Sequence, residues 1–336
     1  MKKKRINIRD IAEELDVTPS TVSRALNSGK KVGEQKRKEI IELANKWGYR
    51  PNRFAKSLIE NKTYNLGLLL PEFTHHFFNK VLSGIESVTY EAGYHLVICV
   101  SDQLQDKEIK SCQTFIDSQV DGVLAIIGNE GDEFGHIQEV IDAGIPLVLM
   151  DRLCEDIQAT YVVTDDYEGA FNAVNHLVQT GCSRIIHLKG PDYIFTAFNR
   201  HMGYKEGLKR HGIPYRRDWV ISPTEKDFAQ KLEHLILKED IDGIFAFSDY
   251  DAFGAYDIIG KTGKKIPDDI GIIGYANEPL STYVSPKLTT VEQSPFEIGR
   301  ISAGYLLQKI NQPSDEIMTS CLKTKLVIRD STRSIK

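Results

Sequence analysis

The 336-residue chain is poor in cysteine, and its five cysteines form no Cys-x-x-Cys pair. Cys99, Cys112, Cys154, Cys182 and Cys321 lie far apart, which argues against a zinc ligand set or a small disulfide scaffold and favours free thiols in a reducing cytoplasm. No stretch reaches the roughly eighteen consecutive apolar residues of a membrane-spanning helix, and no apolar segment of a secretory leader follows the charged N-terminus. A nucleophile motif of the G-x-S-x-G kind is also missing. Gly254 to Thr262 approximates a phosphate-binding loop, but five residues separate Gly254 from Gly260 where that loop has four. The segment also ends a helical pattern when it should open one, so Gly260 and Gly263 read as helix stops. His75 and His76 are neighbours whose side chains point apart, and no third metal ligand stands at a useful spacing. An enzyme therefore has little support, and neither metal nor cofactor is expected.

What the chain does contain is concentrated near its start. Asn7 can cap a helix whose Ile8, Ile11, Ala12 and Leu15 recur at helical spacing. The pattern breaks at Asp16-Val17. Thr18 then caps a second helix, and Pro19 takes its first position, where no N–H is missed. Val22 and Leu26 face inward, leaving Ser20, Thr21, Ser23, Arg24 and Asn27 outside. Hydroxyls and an arginine on the open face of such a helix suit the edges of bases in a major groove, with Pro19, Ser20 and Arg24 foremost. A third helix from about Glu34 to Trp47 supplies Ile40, Ile41, Leu43, Ala44 and Trp47 to the core and stops at Gly48. Residues 1–60 hold 15 Lys and Arg against 8 Asp and Glu, whereas residues 61–336 hold 27 against 39. A basic head on an acidic body predicts a polyanion-binding module attached to something that does not bind polyanions.

These motifs, Ile8–Ala12, Val17–Asn27 and Gly48-Tyr49-Arg50-Pro51-Asn52, resemble the head of the LacI/GalR family of bacterial repressors. The resemblance continues through Leu66–Pro71, Phe77-Phe78, Val120–Val123, Pro146–Arg152 and Ser285–Val291, and so covers nearly the whole chain. Asp16 departs from the family's turn glycine, but aspartate tolerates a left-handed backbone better than most residues. The resemblance implies double-stranded operator DNA as partner, contacted by Thr18, Pro19, Ser20, Thr21, Ser23, Arg24 and Asn27. It also implies a hinge helix in which Asn52, Arg53, Ala55, Lys56 and Leu58 reach the minor groove, Leu58 as a wedge. So short a helix is unstable alone in water and is expected to form only when paired with its twin on DNA.

About 275 residues follow, and apolar runs alternate with amphipathic stretches throughout: Asn65–Leu70, His95–Val100, Gly122–Ile127, Pro146–Met150, Tyr161–Thr164, Arg184–Leu188, Gly243–Phe247 and Gly271–Tyr275 read as buried parallel strands. The expected fold is an N-terminal all-α helix-turn-helix domain (1–49), a hinge (50–62) and an α/β body (63–336) of two doubly wound parallel-sheet lobes, like a periplasmic binding protein. The resemblance implies three crossings between lobes, near 163, 290 and 325, giving lobes of about 63–163 with 291–325 and 164–290 with 326–336. It further implies a small-molecule effector, a sugar or sugar derivative, held by His76, Phe77, Asp151, Thr196, Arg200, Ser248, Asp249 and Asn277. Arg200 stands near a helix start, a poor place for a cation unless it has a task. Where many family members place a ligand-binding aspartate after the Tyr275 position, this chain has Ala276 and then Asn277. That loss predicts either an anionic effector or a neutral sugar bound by Asn277 instead. The chain's end shows no leucine heptads, so a homodimer is expected, acting as a cytoplasmic, nucleoid-associated regulator, most simply a repressor of carbohydrate-utilisation genes. A secreted sugar-binding protein would share the body but start with a leader.

Overall fold

The computed structural model describes residues 6–27, 32–49, 62–128, 134–154 and 157–335. The chain forms two units, Met1–Thr63 and Tyr64–Lys336. Asn52, Arg53, Ala55, Lys56 and Leu58 of the expected hinge lie outside the described residues.

The first unit holds α1 (Ile8–Glu14), α2 (Pro19–Asn27) and α3 (Glu34–Trp47). Ile11, Ala12, Val22, Ala25, Ile40 and Ala44 form its buried core, with Leu26, Leu43 and Trp47 packed against them. Helix α3 ends as expected at Gly48, which is left-handed at φ 66°.

The second unit begins with β1 (Asn65–Leu70), α4 (His76–Thr89), β2 (His95–Val100), α5 (Gln105–Asp117), β3 (Gly122–Ala125), α6 (Gly135–Asp142), β4 (Leu147–Met150) and β5 (Thr160–Thr164). Then follow α7 (Asp166–Gln179), β6 (Ile185–Leu188), α8 (Phe195–Arg210), β7 (Val220–Ile221), α9 (Phe228–Lys238), β8 (Gly243–Ala246), α10 (Asp249–Lys261), β9 (Gly271–Tyr275) and β10 (Thr289–Glu292). The chain closes with α11 (Pro295–Asn311), β11 (Thr319–Leu322) and β12 (Lys325–Val327). One sheet has the order β11-β5-β4-β3-β1-β2, the other β12-β10-β9-β8-β6-β7. Every neighbouring pair is parallel except β10 with β12. Two doubly wound lobes are thus the observed architecture, and the backbone passes between them after β5, β10 and β11.

The alternation of strand and helix was legible because the central strands are continuous apolar runs, covered on both faces. Strands β7, β10, β11 and β12 were not anticipated. Three of them lie at sheet edges and are two to four residues long, and β11 and β12 carry no buried run. Gly260 corrects another expectation: it sits inside α10, and the left-handed residue after that helix is Gly263, at φ 78°.

Two packing features invite measurement. Gly84 of α4 and Gly299 of α11 meet so closely that a Cβ on either would strike a backbone carbonyl of the other helix, Phe296 or Val81. Gly304, on the same helix, faces open space. Gly299→Ala is therefore expected to destabilise the body by about 1–3 kcal/mol in denaturant unfolding, while Gly304→Ala stabilises it by up to about 1 kcal/mol. In the second lobe His187 is fully buried, stacked on Phe245, Tyr204 and His201. Burial pushes the His187 imidazole down to about 3 and that of His201 to about 4. Stability from these groups is complete above the unfolded value near 6.5 and lost as pH falls toward the folded values. At pH 5 the loss from His187 alone is about 2 kcal/mol, to be read as a fall in denaturation midpoint that His187→Gln reduces.

Candidate nucleic-acid interface and effector cleft

In the first unit the side chains that cap the helices also set the turn. The Asn7 Oδ1 accepts from the N–H groups of Arg9 at 2.7 Å and Asp10 at 3.3 Å, and the Asp10 carboxylate accepts from Asn7 N–H at 2.7 Å. Helix α1 then stops, Asp16 turns left-handed at φ 50°, and Val17 N–H reaches the Ala12 carbonyl at 2.9 Å. The Thr18 hydroxyl accepts from Thr21 N–H and contacts the hydroxyls of Ser20 and Thr21, each at 2.9 Å. Burial of Val22 and Ala25 turns the opposite face of α2 outward. Thr18, Pro19, Ser20 and Arg24 are exposed, Thr21 and Ser23 half-buried, and Asn27 ends the helix. The Arg24 guanidinium folds back along the helix, donating to the Ser20 carbonyl at 3.1 Å.

In the second unit a cavity of about 250 Å³ opens where the carboxyl ends of the parallel strands face each other. One lobe contributes Glu72, His75, Phe77, Phe78, Gln103, Asp151 and Arg152. The other contributes Tyr193, Thr196, Arg200, Phe247, Ser248, Tyr250, Tyr275, Ala276 and Glu278, and Gln293 comes from the segment between them. Of the residues expected to hold an effector, Phe77, Asp151, Thr196, Arg200 and Ser248 line this cavity; His76, Asp249 and Asn277 do not. Asp249 is fully buried beneath it, accepting from the Thr290 hydroxyl and from Glu278 N–H at 2.7 Å. Ala276 and Asn277 are both left-handed, at φ 100° and 51°. The double turn directs the Asn277 side chain toward Glu292 and Arg329. His76 contributes its backbone N–H elsewhere, to Glu278.

Arg200 is not a surface residue near a helix start but a buried one, 5% exposed. Its Nε donates to Asp166 Oδ1 at 2.7 Å and its Nη1 to the Phe247 carbonyl at 2.7 Å. Its guanidinium lies 3.7 Å from the Tyr275 ring centre and 4.7 Å from that of Phe247. Burial works against its charge, and Asp166 more than offsets that, holding the group above its ordinary range. Asp166, the first residue of α7, is therefore the counter-ion of the cavity's arginine. Its other oxygen accepts from the Thr164 hydroxyl at 2.8 Å, and the Gln293 amide donates to that hydroxyl at 3.3 Å.

Across the cavity, Asp151 is left-handed at φ 61° and buried. Its Oδ2 stands 3.8 Å from Arg152 Nε, and among the described residues neither its Oδ1 nor that Nε has a hydrogen-bond partner. Burial raises the Asp151 carboxyl to about 6, and burial lowers Arg152 below its ordinary value. His75 is raised because the Glu72 carboxylate, 2.8 Å away, outweighs burial. Arg152, Glu278 and Gln293 were missed from the sequence. Arg152 adjoins Asp151 and offers an obvious local salt bridge, and the other two follow backbone turns that no local pattern announces.

Comparison with known proteins accounts for both units. Residues 7–52 match the model of bacterial regulatory proteins of the lacI family, and residues 174–332 that of the periplasmic binding protein-like domain. The ribose operon repressor of Halalkalibacterium halodurans is 32% identical over 97% of each chain. The structure of a LacI family transcriptional regulator from Enterococcus faecium with bound ribose is 29% identical and covers 81% of this chain and 100% of its own, with a TM-score of 0.70. The lac repressor dimer bound to operator and the anti-inducer ONPF, 21% identical, shares the fold over 98% of this chain and 100% of its own at a TM-score of 0.86. With its helix-turn-helix head and two-lobed body, the chain belongs to the LacI family of DNA-binding transcriptional regulators.

Proposed function

We propose that this protein is a homodimeric repressor of carbohydrate-utilisation genes, acting in the bacterial cytoplasm on the nucleoid, whose operator affinity is set by a monosaccharide in the cleft. The observation that carries the effector reading is that Asp151 and Arg152, which line the cavity, each hold a buried polar atom without a hydrogen-bond partner among the described residues, Oδ1 an acceptor and Nε a donor. A hydroxyl both donates and accepts, so one sugar hydroxyl can satisfy both. Phe77 and Phe247 give the cavity aromatic surface for a sugar ring. The cavity is smaller than the roughly 300–1,000 Å³ typical of drug-sized ligands, which favours one sugar ring over several.

The charge balance supports a neutral sugar over an anionic one. Glu72, Asp151 and Glu278 line the cavity with Arg152 and Arg200, and Arg200 is already paired with Asp166. Asn277 is bonded to Glu292 and Arg329 and does not line the cavity, which supports a neutral sugar held by other residues. Dimerisation is supported by exposed apolar side chains on both lobes: Tyr90 and Ile98 on one, Leu280 and Tyr283 on the other. On DNA, Thr18, Pro19, Ser20, Thr21, Ser23, Arg24 and Asn27 face the major groove, and Asn52, Arg53, Ala55, Lys56 and Leu58 belong to the hinge that enters the minor groove.

Two measurements test this reading. Fluorescence anisotropy with an operator selected from a random duplex pool is expected to show affinity falling about a thousandfold or more between 50 and 200 mM salt. Arg24→Ala should then weaken specific binding by about 1–3 kcal/mol while non-specific binding changes less. Affinity indifferent to salt would refute the DNA-binding mode. Calorimetric titration should find neutral monosaccharides bound and sugar acids inert. Because a bound hydroxyl favours the charged form of Asp151, affinity should fall about tenfold from pH 7 to pH 5, and Asp151→Asn should flatten that profile. Sugar acids binding more tightly than neutral sugars would overturn the neutral-effector reading.

A further inference from the structure

Helix α4 has no cap of its own. Its N-cap residue His75 makes no side-chain cap bond, and its first turn contains no acidic residue. The carboxylate that it needs comes from the other lobe: Glu278, 202 residues away from His76, accepts from His76 N–H at 3.1 Å and from Phe77 N–H at 3.4 Å. Glu278 is 3% exposed, and its own N–H is anchored on Asp249. It reaches α4 because Ala276 and Asn277 turn left-handed just before it, a conformation that is strained for alanine. Beside it the His75 ring stacks on Tyr250 of the opposite lobe, with centres 4.7 Å apart.

A helix N-terminus carries partial positive charge and unsatisfied donors, so a buried carboxylate there is held by both. We infer that Glu278 is a positioning residue: it caps α4 across the cleft and holds the two lobes together before effector arrives, so that effector enters a preformed pocket. The inference rests on the effector-cleft reading above, but its structural half stands without any ligand. Strain at Ala276 is offset by a contact that exists only when the lobes meet, which makes the closed arrangement a discrete state. Apparent effector affinity scales with the fraction of molecules in that state.

Hydrogen exchange on the full-length protein, read by mass spectrometry, tests the latch directly. Without effector, Glu278→Ala should speed exchange at least tenfold in peptides covering the start of α4, and leave peptides of β8 and α10 unchanged. Glu278→Gln, which keeps an acceptor oxygen, should restore most of the protection. With D-ribose as probe, Glu278→Ala should weaken binding about tenfold and Glu278→Gln by less. Equal α4 exchange in wild type and Glu278→Ala would overturn the inference, as would faster exchange spread uniformly over the second lobe. If ribose and other neutral sugars fail to bind the wild type, the effector reading fails, while the exchange data still decide the latch.

Discussion

A charge removed from water must be paired, and in this body one pair organises the region where the lobes join. Arg200 is buried in the second lobe, and its counter-ion Asp166 is the first residue of α7, just past the first crossing between lobes. Thr164 lies on the near side of that crossing and donates to Asp166, while Gln293, past the second crossing, donates to Thr164. The third crossing is tied to the same place, since Asp165 N–H bonds the Leu322 carbonyl at 2.9 Å. A side chain lining the cleft is thus bonded, through three links, to the segments that cross between the lobes. Removing one partner from such a buried pair is far costlier than the pair itself is stabilising, which keeps the arrangement discrete and not continuously adjustable.

This geometry lets occupancy of a small cavity select between arrangements of the two lobes. A ligand can shift an equilibrium between lobe arrangements only by binding one better than the other. Here the cavity walls come from both lobes, so any molecule that contacts Asp151 and Arg152 on one side and Arg200 on the other binds one arrangement preferentially. The energies needed are modest: coupling between sites typically amounts to about 1–3 kcal/mol. The same linkage permits release by an inducer or tightening by a corepressor.

The architecture was legible in the sequence to the extent that it rests on local rules. Asn7, Thr18 and Pro19 announce helix starts, Gly48 a helix end, and uninterrupted apolar runs such as Leu66–Leu70 a strand covered on both faces. Short edge strands such as β12 escaped because pairing with β10, not their own pattern, makes them strands. The cleft was legible where a side chain lies within two residues of a strand end, as Asp151 and Ser248 do. It was not legible where a backbone turn reassigns neighbours. The consecutive left-handed residues Ala276 and Asn277 send Asn277 to Glu292 and deliver Glu278 to the other lobe. No periodicity carries that information, because it depends on φ at a residue type that rarely adopts it. The role of Asp166 is hidden for a related reason. Its position suits a helix dipole, and only the fold reveals that Arg200, 34 residues later, lies against it.

The central claim is that a groove-seeking helical unit and a two-lobed sensor share one free energy. Linkage requires that whatever factor the effector imposes on operator affinity, the operator imposes on effector affinity. Titrating the full-length protein with operator at zero and saturating monosaccharide, and with that monosaccharide in the free and operator-bound states, measures both factors. The account predicts equal factors between about 5 and 150. Operator affinity that stays the same while the cleft is demonstrably filled would contradict it.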